Sequence, residues 1–180
     1  MIRIALPVLV LILITSLGIV ASSSKASTAP PGAEDTRSLE HTPAWTAEGN
    51  QAVAYFGNSV ATAGDVNGDG YSDVLVAASW FNTGESREGT VWLYLGSSSG
   101  LSSTAAWTAE GDQVHAYFGC SVAAAGDVNG DGYGDVVIGA EGYDSGQTDE
   151  GRAYLFLGSG SGLSATPAWT KDGNQAGASF

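Results

Sequence analysis

From residue 43 onward, short apolar runs alternate with turns rich in Gly, Ser and Asp, and no window carries a helical period over a useful length. Ser59 to Ala63 is small and apolar, and Val74-Leu75-Val76-Ala77-Ala78 is a continuous apolar run of strand length. After a polar loop, Thr90 to Leu95 alternates β-branched and aromatic residues. A GSSSGLSS turn then leads to a stretch carrying Trp107. The same order returns downstream as VVIGA, RAYLFL and GSGSGLSA. The pattern predicts an all-β chain with four short strands per unit, each bounded by turn residues.

The units repeat at a fixed pitch. PAWTAEGNQAVAYFG (43–57) returns as AAWTAEGDQVHAYFG (105–119) and again as PAWTKDGNQAGASF (167–180), so Trp45, Trp107 and Trp169 lie 62 residues apart. Two complete units, 45–106 and 107–168, are followed by the opening of a third at 169. Four antiparallel strands in a unit of this length predict one blade of a β-propeller, with neighbouring blades stacking to bury their faces. The first strand would be innermost, where small residues (Ser59, Ala61, Ala63, Gly64) suit crowding at the axis. A linear β-solenoid or separate sandwiches is the competing architecture.

Between the first two strands of each unit lies a turn of concentrated like charge, GDVNGDGYSD (64–73) and GDVNGDGYGD (126–135). The spacing Asp-x-Asn-x-Asp-Gly-x-x-Asp lets alternate loop positions face one centre. Hard divalent cations such as calcium take six to eight oxygen ligands from such groups. The candidate ligands are Asp65, Asn67, Asp69, the Tyr71 carbonyl and Asp73, and in the second unit Asp127, Asn129, Asp131, the Tyr133 carbonyl and Asp135. Gly68, Gly70, Gly130 and Gly132 permit the turns that such wrapping needs. An EF-hand would require Glu at the twelfth position, which is Val76 or Ile138 here, and flanking helices. Oxygen-only ligation disfavours zinc and copper, and magnesium demands tighter octahedral geometry. A plain Asp/Asn/Gly turn without metal is the alternative.

The phrase Phe56-Gly57…Asp65-Val66-Asn67-Gly68-Asp69-Gly70-Tyr71-Ser72-Asp73-Val74…Val76-Ala77-Ala78 resembles an FG-GAP repeat, the blade unit of integrin α-chain propellers and of many secreted bacterial proteins. The second unit is similar, with Phe118-Gly119 and with Gly139-Ala140-Glu141 where the family has Gly-Ala-Pro; neither unit has the Pro. The likeness covers about 43–180, and the joining phrase GSGSGLSATPAWT resembles the bacterial members more. It implies a propeller of about seven blades, calcium loops between strands, and partners bound by loops on the opposite face. No ligand-motif residue is matched.

Composition narrows the function. Six Lys and Arg stand against 19 Asp and Glu, a net charge of −13, which speaks against nucleic acid as a partner because phosphate neutralisation needs clustered cations. Six of the acids fall in the two turns, so the charge is concentrated where a cation would sit. Cys120 is the sole cysteine, so no internal disulfide forms. Its counterpart is Asn58, which fits an incidental thiol better than a nucleophile. Arg3 followed by the apolar run Ile4 to Val20 and small residues at 21–24 predicts a secretory signal, 1–23. Left uncleaved, this stretch would be an anchor and the one route to a membrane. Residues 24–42 read as a flexible linker.

No reaction assembles from the remaining residues. Gly96-Ser97-Ser98-Ser99-Gly100 matches a nucleophile elbow as a string but lacks the helix and the partners that motif needs. His41 lies in the linker, His115 replaces Val53, and Glu88 and Glu150 recur in a way that suits a structural or rim role. The expectation is therefore an exported, calcium-binding propeller protein for recognition or adhesion outside the cell, with a protein or glycan as ligand. An accessory propeller of a secreted hydrolase or lyase is the alternative, to be recognised by a further catalytic domain, and a spacer is the third. The chain stops inside a third Phe-Gly signature, which predicts further units, and two blades alone leave edges that invite self-association.

Overall fold

The computed structural model describes residues 42–179 throughout, together with the backbone of residues 11–15 and 18–22. The chain divides into two compact units, Met1–Thr46 and Ala47–Phe180. In the first, β1 (Leu11–Thr15) pairs antiparallel with β2 (Gly18–Ser22), Thr15 opposite Gly18. Apart from these two strands, the predicted signal (1–23) and the predicted linker up to residue 41 lie outside the described residues.

The second unit holds two four-stranded antiparallel sheets with their strands in sequence order. The first is β3 (Ser59–Gly64), β4 (Asp73–Ala78), β5 (Thr90–Tyr94) and β6 (Trp107–Glu110). The second is β7 (Phe118–Gly126), β8 (Asp135–Ala140), β9 (Arg152–Phe156) and β10 (Trp169–Asp172). No helix occurs among the described residues. Two such sheets are what stacked blades of a partial β-propeller look like. Each sheet takes its outermost strand from the opening of the next sequence repeat: β6 carries Trp107 and β10 carries Trp169. A bulge at Thr62/Gly64, repeated at Ala124/Gly126, turns the innermost strand out into the acidic loop.

The continuous apolar run of β4 follows from its position. Leu75 and Ala77 pair with Leu93 and Val91 on one face, while Val76 pairs with Trp92 on the other. Both faces are covered, so the strand has no polar side. Leu75, Ala77, Val91, Leu93 and Ala63 form one core with Val136, Ile138, Ala140, Tyr154 and Phe156 of the second sheet. The opposite face of the first sheet is roofed by Phe56 and Phe81, whose rings lie 5.2 and 5.1 Å from Trp92. Each fully buried aliphatic side chain contributes about 1.5–3 kcal/mol, so the junction between sheets carries much of the stability.

Phe118-Gly119 enters that junction. The Phe118 ring packs on Tyr154 at 5.2 Å within its own sheet. Gly119, at φ +83°, presses on the first sheet: a Cβ there would lie 2.7 Å from Val91 Cγ2 and 2.9 Å from Ala77 Cβ. Phenylalanine fills the core and glycine allows the neighbour to close against it. Polar bonds complete the junction. Val122 N donates to Ser59 Oγ (3.1 Å), Trp107 Nε1 to the Ser164 carbonyl (3.0 Å) and Gly134 N to the Asp65 carbonyl (2.7 Å).

Candidate metal centre

The two acidic loops leave the same end of their sheets, between β3 and β4 and between β7 and β8. Their charge is organised first by backbone. Asp65 Oδ1 accepts from Gly68 N (2.7 Å) and Asp69 N (3.0 Å), and its Oδ2 accepts from Gly70 N (2.8 Å). Asn67 Oδ1 accepts from Asp69 N, Asn67 Nδ2 donates to Asp69 Oδ2 (2.9 Å), and Asp69 Oδ1 accepts from Tyr71 N (2.9 Å). Asp127, Asn129 and Asp131 repeat this set bond for bond. Amide dipoles aimed inward thus offset part of the repulsion that a bare row of carboxylates would suffer. Gly68, Gly70, Gly130 and Gly132 all have positive φ, which brings successive N–H groups to one side.

The last Asp of each loop does something different. Asp73 is fully buried, with Oδ2 accepting from Val66 N (2.9 Å) and Oδ1 from Gly96 N (2.8 Å). Asp135, also fully buried, accepts from Val128 N and Gly158 N, each at 2.8 Å. Each carboxylate ties the start of the loop to the turn after the third strand. Burial pushes the Asp73 carboxyl above its ordinary range, the Gly96 and Val66 amides oppose this, and the charges of Asp69 and Asp65 raise it further. The loop carboxylates are therefore close enough to feel one another.

Asp69, Asp127 and Asp131 lie exposed at the surface, and Asp65 and Asn67 are half-buried. Tyr71 is exposed, whereas Tyr133 lies across Gly68 of the neighbouring loop, where a Cβ would meet its ring at 2.7 Å. Among the described residues, no three His, Cys, Asp or Glu side chains converge as a preformed metal cluster. The oxygen donors of each loop fit a hard cation by chemistry: two carboxylates and an amide reach the surface together, with a third carboxylate anchoring the loop beneath them.

The other candidates take structural places. Glu88 is buried, and its Oε1 accepts from Thr83 N, from Gly84 N (2.6 Å) and from Glu85 N (3.1 Å), which closes the loop before β5. Glu150 accepts likewise from Ser145 N (2.6 Å) and Gln147 N (3.4 Å). The recurrence was visible in the sequence; the loop amides that explain it were not. Ser97 Oγ donates to the Gly100 carbonyl within its own turn, and no helix follows it. His115 is an exposed residue at φ +60° whose ring lies parallel to Tyr117. Burial pushes the Cys120 thiol up, away from the reactive thiolate. His41 lies outside the described residues.

Sequence reasoning missed one feature, a cleft of about 390 Å³ between β6 and the second sheet, lined by Glu110, Asp112, Phe118, Tyr143, Arg152 and Tyr154 among others. Arg152 spans it, ion-paired to Asp172 and lying 4.1 Å over the Tyr143 ring. A lone Arg in a strand gives no sequence signal for such a site, because its partners come from other elements.

Comparison with known proteins bears on the same residues. Residues 56–94 and 118–156 match the family model for the FG-GAP repeat. Among curated proteins the chain is 36% identical over 149 residues to integrin alpha-IIb of Mus musculus, covering 78% of this chain and 14% of the relative. It is 39% identical over 127 residues to integrin alpha-PS2 of Drosophila melanogaster, covering 67% and 9%. Integrin alpha-V of Gallus gallus is 36% identical over 133 residues, covering 71% and 12%. The chain thus spans about a tenth of the length of the relatives it matches.

Proposed function

Because the chain belongs to the FG-GAP repeat proteins, of the integrin-α-like kind, we propose that it is an exported recognition or adhesion module whose propeller blades are stabilised by calcium. The observation that carries this reading is the pair of acidic loops, matched bond for bond, each offering carboxylate and amide oxygens on a backbone already shaped by inward amides. Asp65, Asn67, Asp69 and the Tyr71 carbonyl would hold one ion, and Asp127, Asn129, Asp131 and the Tyr133 carbonyl the other; Asp73 and Asp135, expected from spacing as further ligands, are buried and have both oxygens on backbone amides, so they would clasp the loops beneath the ions. Bound calcium would supply charge neutralisation and a fixed loop, and no chemical step.

Binding rather than catalysis suits the rest of the molecule. The recurring carboxylates Glu88 and Glu150 are occupied by loop amides, and the acidic surface favours partners other than nucleic acid. A protein or glycan ligand outside the cell follows from the family reading, with export directed by the apolar N-terminal stretch.

The test is thermal unfolding with calcium and with chelator, joined to calorimetric titration. A ligand bound only by the folded form adds about 2.7 kcal/mol per site at a free concentration one hundred times its Kd. The midpoint should fall clearly on chelation and the titration should report about two ions per chain. An unchanged midpoint with no heat of binding would remove calcium from the account. Asp69→Ala and Asp131→Ala should each abolish one site, and any departure of the double variant from additivity measures the contact between the loops, where Gly134 N bonds the Asp65 carbonyl and Tyr133 lies across Gly68.

A further inference from the structure

We infer that the cleft between β6 and the second sheet binds a neutral sugar of one or two pyranose rings. Its volume of about 390 Å³ sits at the small end of the ~300–1,000 Å³ usual for ligand sites. The reason for the opening lies in β6. Trp107 and Ala109 both pack toward the second sheet. Trp107 fills the space at one end, with its ring 5.1 Å from Phe156 and its Nε1 bonded to the Ser164 carbonyl. Ala109 leaves the space beside it open. The facing wall is Phe118, Tyr143, Arg152, Tyr154 and Phe156. Both walls belong to four-stranded sheets within the repeats described above. A further sheet would stack on the opposite face of the second, beside Val137 and Leu155, and would leave the cleft as it is.

The wall departs from the repeat where the ligand would lie. In the first unit the positions equivalent to Tyr143, Arg152 and Tyr154 are Phe81, Thr90 and Trp92. The first sheet forms with neither phenol nor guanidinium there, so folding alone does not call for them. The aromatic wall itself is kept. Phe118 and Tyr143 lie 5.2 and 6.1 Å from Tyr154, as Phe56 and Phe81 lie 5.2 and 5.1 Å from Trp92. What the second unit adds is two phenol hydroxyls and a guanidinium. Arg152 lies 4.1 Å over the Tyr143 ring, and its Nη2 donates to Ser145 Oγ (2.8 Å) and Asp172 Oδ2 (3.1 Å). These contacts hold the guanidinium in one position against the wall, as a binding group must be held before its ligand arrives.

The chemistry of the wall selects the ligand. Arg152 and Asp172 are ion-paired, so the site holds donors and acceptors with little net charge. Their side chains stay partly exposed, at 18% and 26%, so a ligand reaches the guanidinium while Asp172 cancels its charge. An anion would meet Asp172 beside Arg152 and the exposed Asp112, on a chain of net charge −13. A cation would meet a guanidinium already seated over Tyr143. A wholly apolar molecule would take water from these polar groups and give no bond in return. A sugar avoids all three conflicts. Its hydroxyls accept from Arg152 and donate to tyrosine or carboxylate oxygens, while its apolar C–H faces lie on the rings. The site uses no residue of the acidic loops, so it stands or falls separately from the calcium reading.

The experiment is saturation-transfer NMR on the full chain in calcium, with each disaccharide probe at about 10 mM so that millimolar dissociation constants register. The neutral probes are maltose, cellobiose, lactose, mannobiose and diacetylchitobiose. The charged probes are a digalacturonide and chitobiose with its free amines. Transfer to the ring C–H protons of at least one neutral probe is expected, and less to either charged one. Arg152→Thr combined with Tyr143→Phe gives the wall the first unit's residues at those positions. This double variant should weaken binding by about tenfold or more, a loss of at least ~1.4 kcal/mol. Its thermal midpoint should fall by no more than about 4 °C. Ala109→Leu, which fills the cleft from the β6 side, should weaken binding equally with Arg152 in place. No transfer to any neutral probe, stronger transfer to a charged one, or binding unaltered in either variant would each overturn the proposal.

Discussion

Gly119 and Gly57 occupy the same place in the repeat and nearly the same backbone, φ +83° in both, yet only Gly119 touches a neighbouring sheet. Alanine at either position bears the left-handed penalty of about 1–2 kcal/mol. At Gly119 the added methyl also overlaps Val91 and Ala77, for about 1–3 kcal/mol more. Denaturant unfolding of dilute protein should therefore find Gly119→Ala clearly the more destabilised of the two. Equal losses would mean the junction is looser than described. Arg152 and Asp172 allow a second test. The guanidinium holds the Asp172 carboxyl below the ordinary carboxylate range. Its folded value lies under its unfolded one, so the pair stabilises above about pH 3.9 and the effect fades as pH falls through the folded value. Asp172→Asn should lower the midpoint modestly at pH 7, by the equivalent of about 0.2–1 kcal/mol. The two midpoints should converge once the pH lies below the folded value. At this scale the sequence displayed the residues but not their partners. Asp65 and Asp69 stood out by spacing, while the amides that cradle them depend on backbone angles that spacing does not express.

The loops and strands behave as elements with distinct duties, and the last Asp of each loop separates them. Asp73 accepts two buried backbone amides, so Asp73→Ala strands Val66 N and Gly96 N at about 1–3 kcal/mol for each group. That loss should appear in calcium and in chelator alike. Asp69→Ala removes an exposed carboxylate whose bonds to Asn67 Nδ2 and Tyr71 N water can replace, so its effect should be small in chelator and large in calcium. If both substitutions act only when calcium is present, Asp73 serves as a ligand and not as a clasp. Strand positions were legible because β-branched and aromatic runs were set off by glycine-rich turns, and the four strands of each sheet fall where those runs lie. The exception teaches more. WTAE at 45–48 and WTAE at 107–110 are the same peptide, yet only the second is a strand, because β5 offers it an edge to pair with. Local pattern gives strand capacity, and an available partner edge decides whether it is realised.

The period of 62 residues carried the architecture of the molecule as a whole, since no single unit can bury both of its faces. What the period left open was where a sheet begins, because the repeat that the eye cuts at tryptophan is not the sheet that the chain builds. β6 is bonded to β5 in the first sheet but continues covalently into β7 of the second. The consequence concerns what a single break in the chain would do. A protease cut in the 101–106 turn would sever the backbone where the sequence repeats meet, yet β6 would stay zipped to β5. The two pieces would be held by a full strand as well as by their apolar junction. A cut at 112–115, past β6, would divide the molecule between complete sheets and leave packing and a few polar bonds to hold it. Under rising urea, protein nicked at the first place should stay together beyond the point at which protein nicked at the second falls apart. The lacing of each repeat into the sheet before it is, in that sense, a clasp against breakage at the repeat boundary.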